Sequence, residues 1–188
     1  MKEIIDQMMK KGYKFEKGLS DEDIKIIEKR YNIKFPKSLI EFYKLANPIS
    51  GDFVNWKDDS EENITKNKKL LNAPIDDILF EIEQNNYWVS EWEEPETIDE
   101  KKKKFVEIMK NEPKLIPFFY TRYVVSKEGV DDPGVLSLWG GDVIVLGNNL
   151  LDYLDNEIHE KMIHESYYSD YMGKWIDIMN NYLPKKIK

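Results

Sequence analysis

Apolar residues recur at helical spacing from the first positions of the chain. Ile4, Ile5, Met8 and Met9 fall on one stripe with charged residues between them, and Gly12 stops the helix that this spacing predicts. A second helix is marked by its start. Ser20 is placed to cap it, Asp23 stands three residues on where a capping box needs an acid, and Leu19 and Ile24 occupy the staple positions around the cap. Ile24, Ile27 and Tyr31 continue at i, i+3 and i+7 until Asn32 ends the run. Phe35-Pro36 opens a third helix, with Leu39, Phe42, Tyr43 and Ala46 on one face, and Asn47-Pro48 breaks it. Residues 20–47 therefore read as a helical hairpin.

The period changes at Phe53. Phe53, Val54 and Trp56 read as a short strand. Residues 57–69 are dense in charge, with Ile64 as the single apolar position, which predicts an exposed loop with room for one helical turn. Leu70 to Pro74 returns to the core. Ile78, Phe80 and Ile82 then alternate with Leu79, Glu81 and Glu83, the period of a strand with one wet face. Trp88 and Trp92, four apart beside Tyr87, fit one helical face. Thr97 and Glu100 form a T-x-x-E capping box ahead of a helix whose stripe is Phe105, Ile108 and Met109.

Residues 115–125 are rich in β-formers, with Pro117 near the start, where an edge strand tolerates proline. Asp131-Asp132-Pro133-Gly134 is a turn. Residues 135–139 and 143–146 read as two strands joined through Gly140-Gly141-Asp142 in a tight hairpin. Leu150, Leu151, Leu154 and Ile158 predict a further helix. Tyr167, Tyr171, Trp175, Ile178 and Met179 predict a last one, ended by Pro184, with a frayed tail over residues 185–188. Two early helices, a run of short strands with helical inserts and C-terminal helices make an α+β single domain with a mostly antiparallel sheet flanked by helices.

Composition narrows the function classes. At 41% hydrophobic and 13% aromatic, the 188 residues can build a real core, which excludes a solvating disordered chain. Lys and Arg total 28 against 36 Asp and Glu, a net charge of −8, which argues against a nucleic-acid partner. The absence of cysteine excludes disulfides, thiol nucleophiles and cysteine-held zinc. No apolar run approaches the ~20 residues of a membrane span, and the charged N-terminus lacks a signal-peptide core. A cytoplasmic protein without a membrane partner is expected.

Four blocks carry a resemblance. Residues 19–47, with Ile24 and Glu28 on a capped helix, Phe35 before Pro36, then Phe42, Leu45 and Asn47 leading to Gly51, resemble the opening of the SUKH superfamily, the Smi/Knr-like domains. Residues 72–92, 113–124 and 142–158 are similar to a bacterial branch of that family. Gly140-Gly141 departs from its pattern, where a turn bearing side chains is expected. The resemblance implies a SUKH-like α+β fold over 1–188, divided into an N-terminal helix in 1–18, a family core in 19–158 and a helical extension in 159–188. It also implies an immunity protein that binds the secreted polymorphic toxin of its own strain, often a nuclease, without catalysis. Fungal relatives imply an alternative, a regulatory or scaffold module.

A nuclease is expected to be basic around its phosphate cleft, so acidic clusters are the candidates for meeting it. They are Asp58, Asp59, Glu61 and Glu62; Glu91, Glu93, Glu94 and Glu96; and Asp131 with Asp132. A solvated surface is the plain reading of each. The second cluster adjoins Tyr87, Trp88 and Trp92, a hot-spot composition, with Trp88 expected in the core and Trp92 open to either role. Arg122 shares a strand face with Tyr120 and Val124. It is either a structural arginine paired with an acid such as Asp142 or an anchor for a partner. The candidate partner-binding residues are thus Asp58, Asp59, Glu61, Glu62, Trp92, Glu93, Glu94 and Arg122.

Catalytic signals are sparse. His159 and His164 are five apart, off the i, i+4 spacing of a helical metal pair, and no H-E-x-x-H, nucleophile elbow, phosphate loop or dinucleotide fingerprint is present. Glu81 and Glu83 on one strand face, with His164, would be the makings of a metal-assisted hydrolase. Lys101 to Lys104, balanced by Asp99, Glu100 and Glu107, reads as a solvated helix face. The expectation is no catalytic residue, no cofactor and no metal.

Overall fold

The strands after residue 113 alternate with period two, and both of their faces carry apolar side chains. β3 (Lys114–Phe119), β4 (Arg122–Ser126), β5 (Val135–Trp139) and β6 (Asp142–Gly147) pair antiparallel in sequence order. Leu115, Tyr123, Val125, Leu136, Leu138, Val143 and Val145 bury on one face; Ile116, Phe118, Val124 and Val135 bury on the other. Such a sheet needs cover on both sides. The second face is covered by α1 (Lys2–Lys10), α2 (Asp21–Tyr31), α3 (Lys37–Leu45) and α6 (Leu150–His159), and the first by α4 (Glu61–Asn85), α5 (Ile98–Met109), a 3-10 turn at Asp170–Met172 and α7 (Trp175–Tyr182). β1 (Phe15–Lys17) and β2 (Ala46–Pro48) form a separate antiparallel ribbon. This computed structural model describes residues 1–161 and 169–182.

Capping chemistry sets the helix starts where the sequence placed them. Ser20 and Asp23 close a reciprocal capping box, as do Thr97 and Glu100, and Asn149 caps α6 through the Asp152 N–H. Asn32 ends α2 in the left-handed conformation. Pro36 sits one position earlier than a first-turn residue, at the N-cap of α3. On the α1 side of the sheet the core is aromatic: Trp56, fully buried, donates its indole N–H to the Tyr43 hydroxyl at 3.0 Å, and Phe42 meets Phe118 edge to face. Burial pushes the Tyr43 hydroxyl above its ordinary range even though the Trp56 bond opposes it.

α4 corrects two expectations. It runs unbroken for 25 residues through the segment read as a loop and the segment read as a strand. Ser60 caps it by accepting from the Asn63 N–H, and the Asn63 and Asn67 amides both donate to the Asn55 carbonyl, which fixes the polar first turns against the loop before them. Asn67, Leu71, Pro74, Ile78 and Ile82 form the inward stripe, with Ile78 and Ile82 fully buried and Phe80 59% exposed. Glu81 and Glu83 therefore point apart: Glu81 accepts from Asn85, and Glu83 pairs with Lys102. Pro74 removes one backbone N–H from the helix interior without ending it.

Other expectations shift less. Phe53 to Trp56 is no strand; Phe53 makes one bridge to Phe119, and the Val54 N–H donates to the Phe118 carbonyl. Trp88 and Trp92 lie in the loop after α4 rather than on a helix, and Trp88 is half-buried where full burial was expected. Tyr167, Pro184 and the tail after it lie outside the described residues.

Candidate functional site

The helices covering the second face of the sheet do not reach its hairpin end. Arg122, Ser137 and Ile144 stand opposite one another across β4, β5 and β6, and Trp139 and Asp142 form the next row. These two rows share the face of Val124 and Val135, which are buried under α6. Beyond α6 the same face is open. Trp139 is 72% exposed, Tyr120 54% and Ile144 46%.

Two tight turns hold this corner. Phe119 pairs with Arg122 and Trp139 with Asp142, so each hairpin has a two-residue loop at the same end of the sheet. In the second loop Gly140 takes φ +57° and Gly141 does not turn positive, the φ signature of a type II′ hairpin that matches strand twist. In the first loop the left-handed residue is Tyr120, at φ +51°, a conformation a bulky side chain rarely adopts. Its N–H donates to the Asp52 carbonyl at 3.0 Å.

Arg122 lies half-buried, with its guanidinium carbon 5.9 Å from the Tyr120 ring centroid. One Nη donates to Thr121 Oγ1 at 3.1 Å, whereas the Nε is buried without an acceptor. Among the described residues no ion pair reaches Arg122, so the expected pairing with Asp142 is not formed; Asp142 faces Trp139 one row away and is exposed. Arg122 instead borders an open depression of about 300 Å³ with Tyr153, Asn156, Glu157 and Glu160. Burial raises the Tyr153 hydroxyl and the Glu157 charge raises it further, with Arg122 opposing.

The acidic clusters are tied into local structure to differing degrees. Asp58 accepts from the Ser60 N–H, which holds its carboxyl below the ordinary value, and Glu61 and Glu62 sit in the first turn of α4, where negative charge suits the helix dipole; Asp59 is exposed beside them. Glu94 pairs with Lys101, whereas Glu93 is exposed and makes no side-chain bond among the described residues. Trp92 stacks on Phe105 and donates its indole N–H to Asp177 at 2.8 Å, so the half-buried side chain ties α5 to α7. Asp131 pairs with Lys37, and Asp132 accepts from the Leu150 N–H.

The model of the SMI1 / KNR4 family (SUKH-1) matches residues 18–182. The chain belongs to this family. No curated protein and no solved structure matches it. The SUKH-1 membership agrees with the α+β architecture, in which a four-stranded antiparallel sheet is the centre.

Within this SUKH-1 chain, sequence reasoning missed three features. Lys101 is not on a solvated face: its side chain is 4% exposed and its ammonium is held by Glu94 and by Asn86 Oδ1. Its place one turn from Phe105 on the apolar stripe was the available signal. Trp139 carried none, because a terminal strand residue reads the same whether or not a helix covers it. A groove of about 630 Å³ lined by Lys25, Lys29, Lys34, Lys114 and Lys127 also went unread; it is interleaved with Glu28, Glu112 and Glu128. Among the described residues no three His, Asp or Glu side chains converge as a metal site; His159 contacts Asp155, and His164 lies outside them. No helix among them is long and apolar enough to cross a membrane.

Proposed function

We propose that the protein is an immunity-type binding protein that neutralises a cognate secreted toxin by covering it. The observation that supports this most is SUKH-1 membership over residues 18–182, together with an exposed corner of Trp, Tyr, Ile and Arg on a sheet buried on both faces elsewhere. Occlusion needs a stiff surface, and that corner is set on hydrogen-bonded strands and the tight turn joining two of them. The acidic excess, with Asp58, Asp59, Glu61, Glu62 and Glu93 exposed, serves to steer a basic toxin and speed its capture. The regulatory-module alternative predicts binding without protection.

The test is co-expression with a toxin domain taken from the gene neighbouring the one for this chain, which the reading expects to encode one. Cells carrying both are expected to survive, and the purified pair to co-elute. Survival without a complex, or a complex without survival, counts against immunity by occlusion.

A further inference from the structure

We infer that the partner docks on the hairpin end of the sheet, centred on Trp139 and Arg122, and that it presents a carboxylate to Arg122 from within a basic surface. This rests on the immunity-type reading and names the surface that reading leaves open.

Three observations converge on the corner. First, Trp139 is 72% exposed next to the buried Leu138, and Tyr120 and Ile144 beside it are exposed too; tryptophan, tyrosine and arginine are the residues that dominate binding energy at interfaces. Second, Arg122 has five N–H donors and makes one hydrogen bond within the described chain, to Thr121, although it is half-buried. A planar carboxylate accepts two guanidinium N–H groups at once and satisfies such a cation far better than a neutral acceptor. Third, Tyr120 holds a left-handed backbone that glycine or asparagine would adopt without strain, yet its ring is mostly outside the core. The ring lies instead beside the Arg122 guanidinium, whose carbon is 5.9 Å from the ring centroid, so both sit at the open corner.

Charge selects the occupant. Asp52, Asp142, Glu157 and Glu160 surround the corner, where Lys161 is paired with Asp155, and the whole chain carries −8. A second copy would bring these acids against each other, whereas a basic protein with one central carboxylate meets both the rim and Arg122. The arrangement divides labour as interfaces do, with apolar and arginine anchors at the centre and rim charges for steering.

The experiment uses the full chain and the catalytically inactive toxin domain encoded beside it, with binding followed by biolayer interferometry. Trp139→Ala and Arg122→Lys are each expected to weaken binding at least ~30-fold, mainly through faster dissociation. Tyr120→Gly removes the ring while suiting the backbone, so it is expected to keep the unfolding midpoint and still lose affinity. Unchanged affinity in all three, with loss confined to charge reversal at Glu93 or at Asp58 and Asp59, overturns the inference and leaves the immunity reading standing. Failure of the wild-type chain to bind the toxin domain overturns the immunity reading. In that case a photo-crosslinker at position 139, with position 93 as control, decides the inference. Crosslinks from 139 to an identified basic protein, near one of its Asp or Glu residues, support it. Crosslinks from the control alone, from neither position, or from 139 to a second copy of this chain overturn it.

Discussion

Single side chains carry separable energies here. Ser20 and Asp23 satisfy one another's backbone donors, so Ser20→Ala is expected to lower stability by about 1 kcal/mol in denaturant unfolding. Lys101 gives an asymmetric pair. Glu94→Ala leaves its buried ammonium with Asn86 alone, whereas Lys101→Met keeps the stem and removes the charge. Glu94→Ala is therefore expected to cost more than the ~0–1 kcal/mol of an exposed ion pair and more than Lys101→Met; the reverse order contradicts this account of Lys101. Two aspartates should have opposite pH signatures. Burial alone would raise the Asp177 carboxyl, but the Trp92 N–H and Lys174 outweigh it and hold it low. Its contribution is present above the ordinary aspartate range of ~3.9 and is lost on acidification, so Asp177→Asn flattens the acid limb of stability. Burial raises Asp77, opposed by the Gly140 N–H and reinforced by Asp76 and Glu81. Its contribution is present below ~3.9 and fades as pH rises, so Asp77→Asn is expected to stabilise at neutral pH and to give no gain below pH ~3. Unfolding curves across pH for both variants check the pair.

Among the elements, α4 separates the two readings of its residues most sharply. As a helix with Ile78 and Ile82 inward, it predicts a loss of about 2–5 kcal/mol for Ile78→Ala and under ~1 kcal/mol for Phe80→Ala, where a strand would make the two alike. The capped helices and the β-rich hairpins were legible because their signals are local: a Ser or Thr with an acid three residues on, or Gly-Gly between alternating strands. α4 was not, for two physical reasons. Its first turns are polar because their inward positions are Asn63 and Asn67, which hydrogen-bond a loop carbonyl instead of packing against apolar neighbours. Ile78, Phe80 and Ile82 fit period two and i, i+4 equally, and Pro74 just before them argues for a break that the surrounding packing overrides. β1 and β2 escaped because three-residue strands show no period.

For the whole molecule, the sheet accounts for both fold and site. Two layers of helices bury it from either side, and the corner they leave open is where an interaction surface can be rigid and exposed together. No local pattern announces such a corner: Leu138 is buried on the face covered by α4, α5 and α7, whereas Trp139 lies on the opposite face beyond the reach of α6. The acidic excess acts at longer range and should be screened by salt: raising ionic strength from ~0.05 M to ~0.5 M is expected to slow association several-fold while leaving dissociation nearly unchanged. Stopped-flow rates at the two salts check this, and an equal change in both rates contradicts it. The claim beneath all of this is neutralisation by coverage, without chemistry done on the toxin. Titrating the activity of a fixed amount of the adjacent toxin domain with the purified chain tests it most directly. The account predicts a linear fall to zero at one equivalent, reversed when the complex is dissociated; complete and lasting inactivation by a small fraction of an equivalent would contradict it.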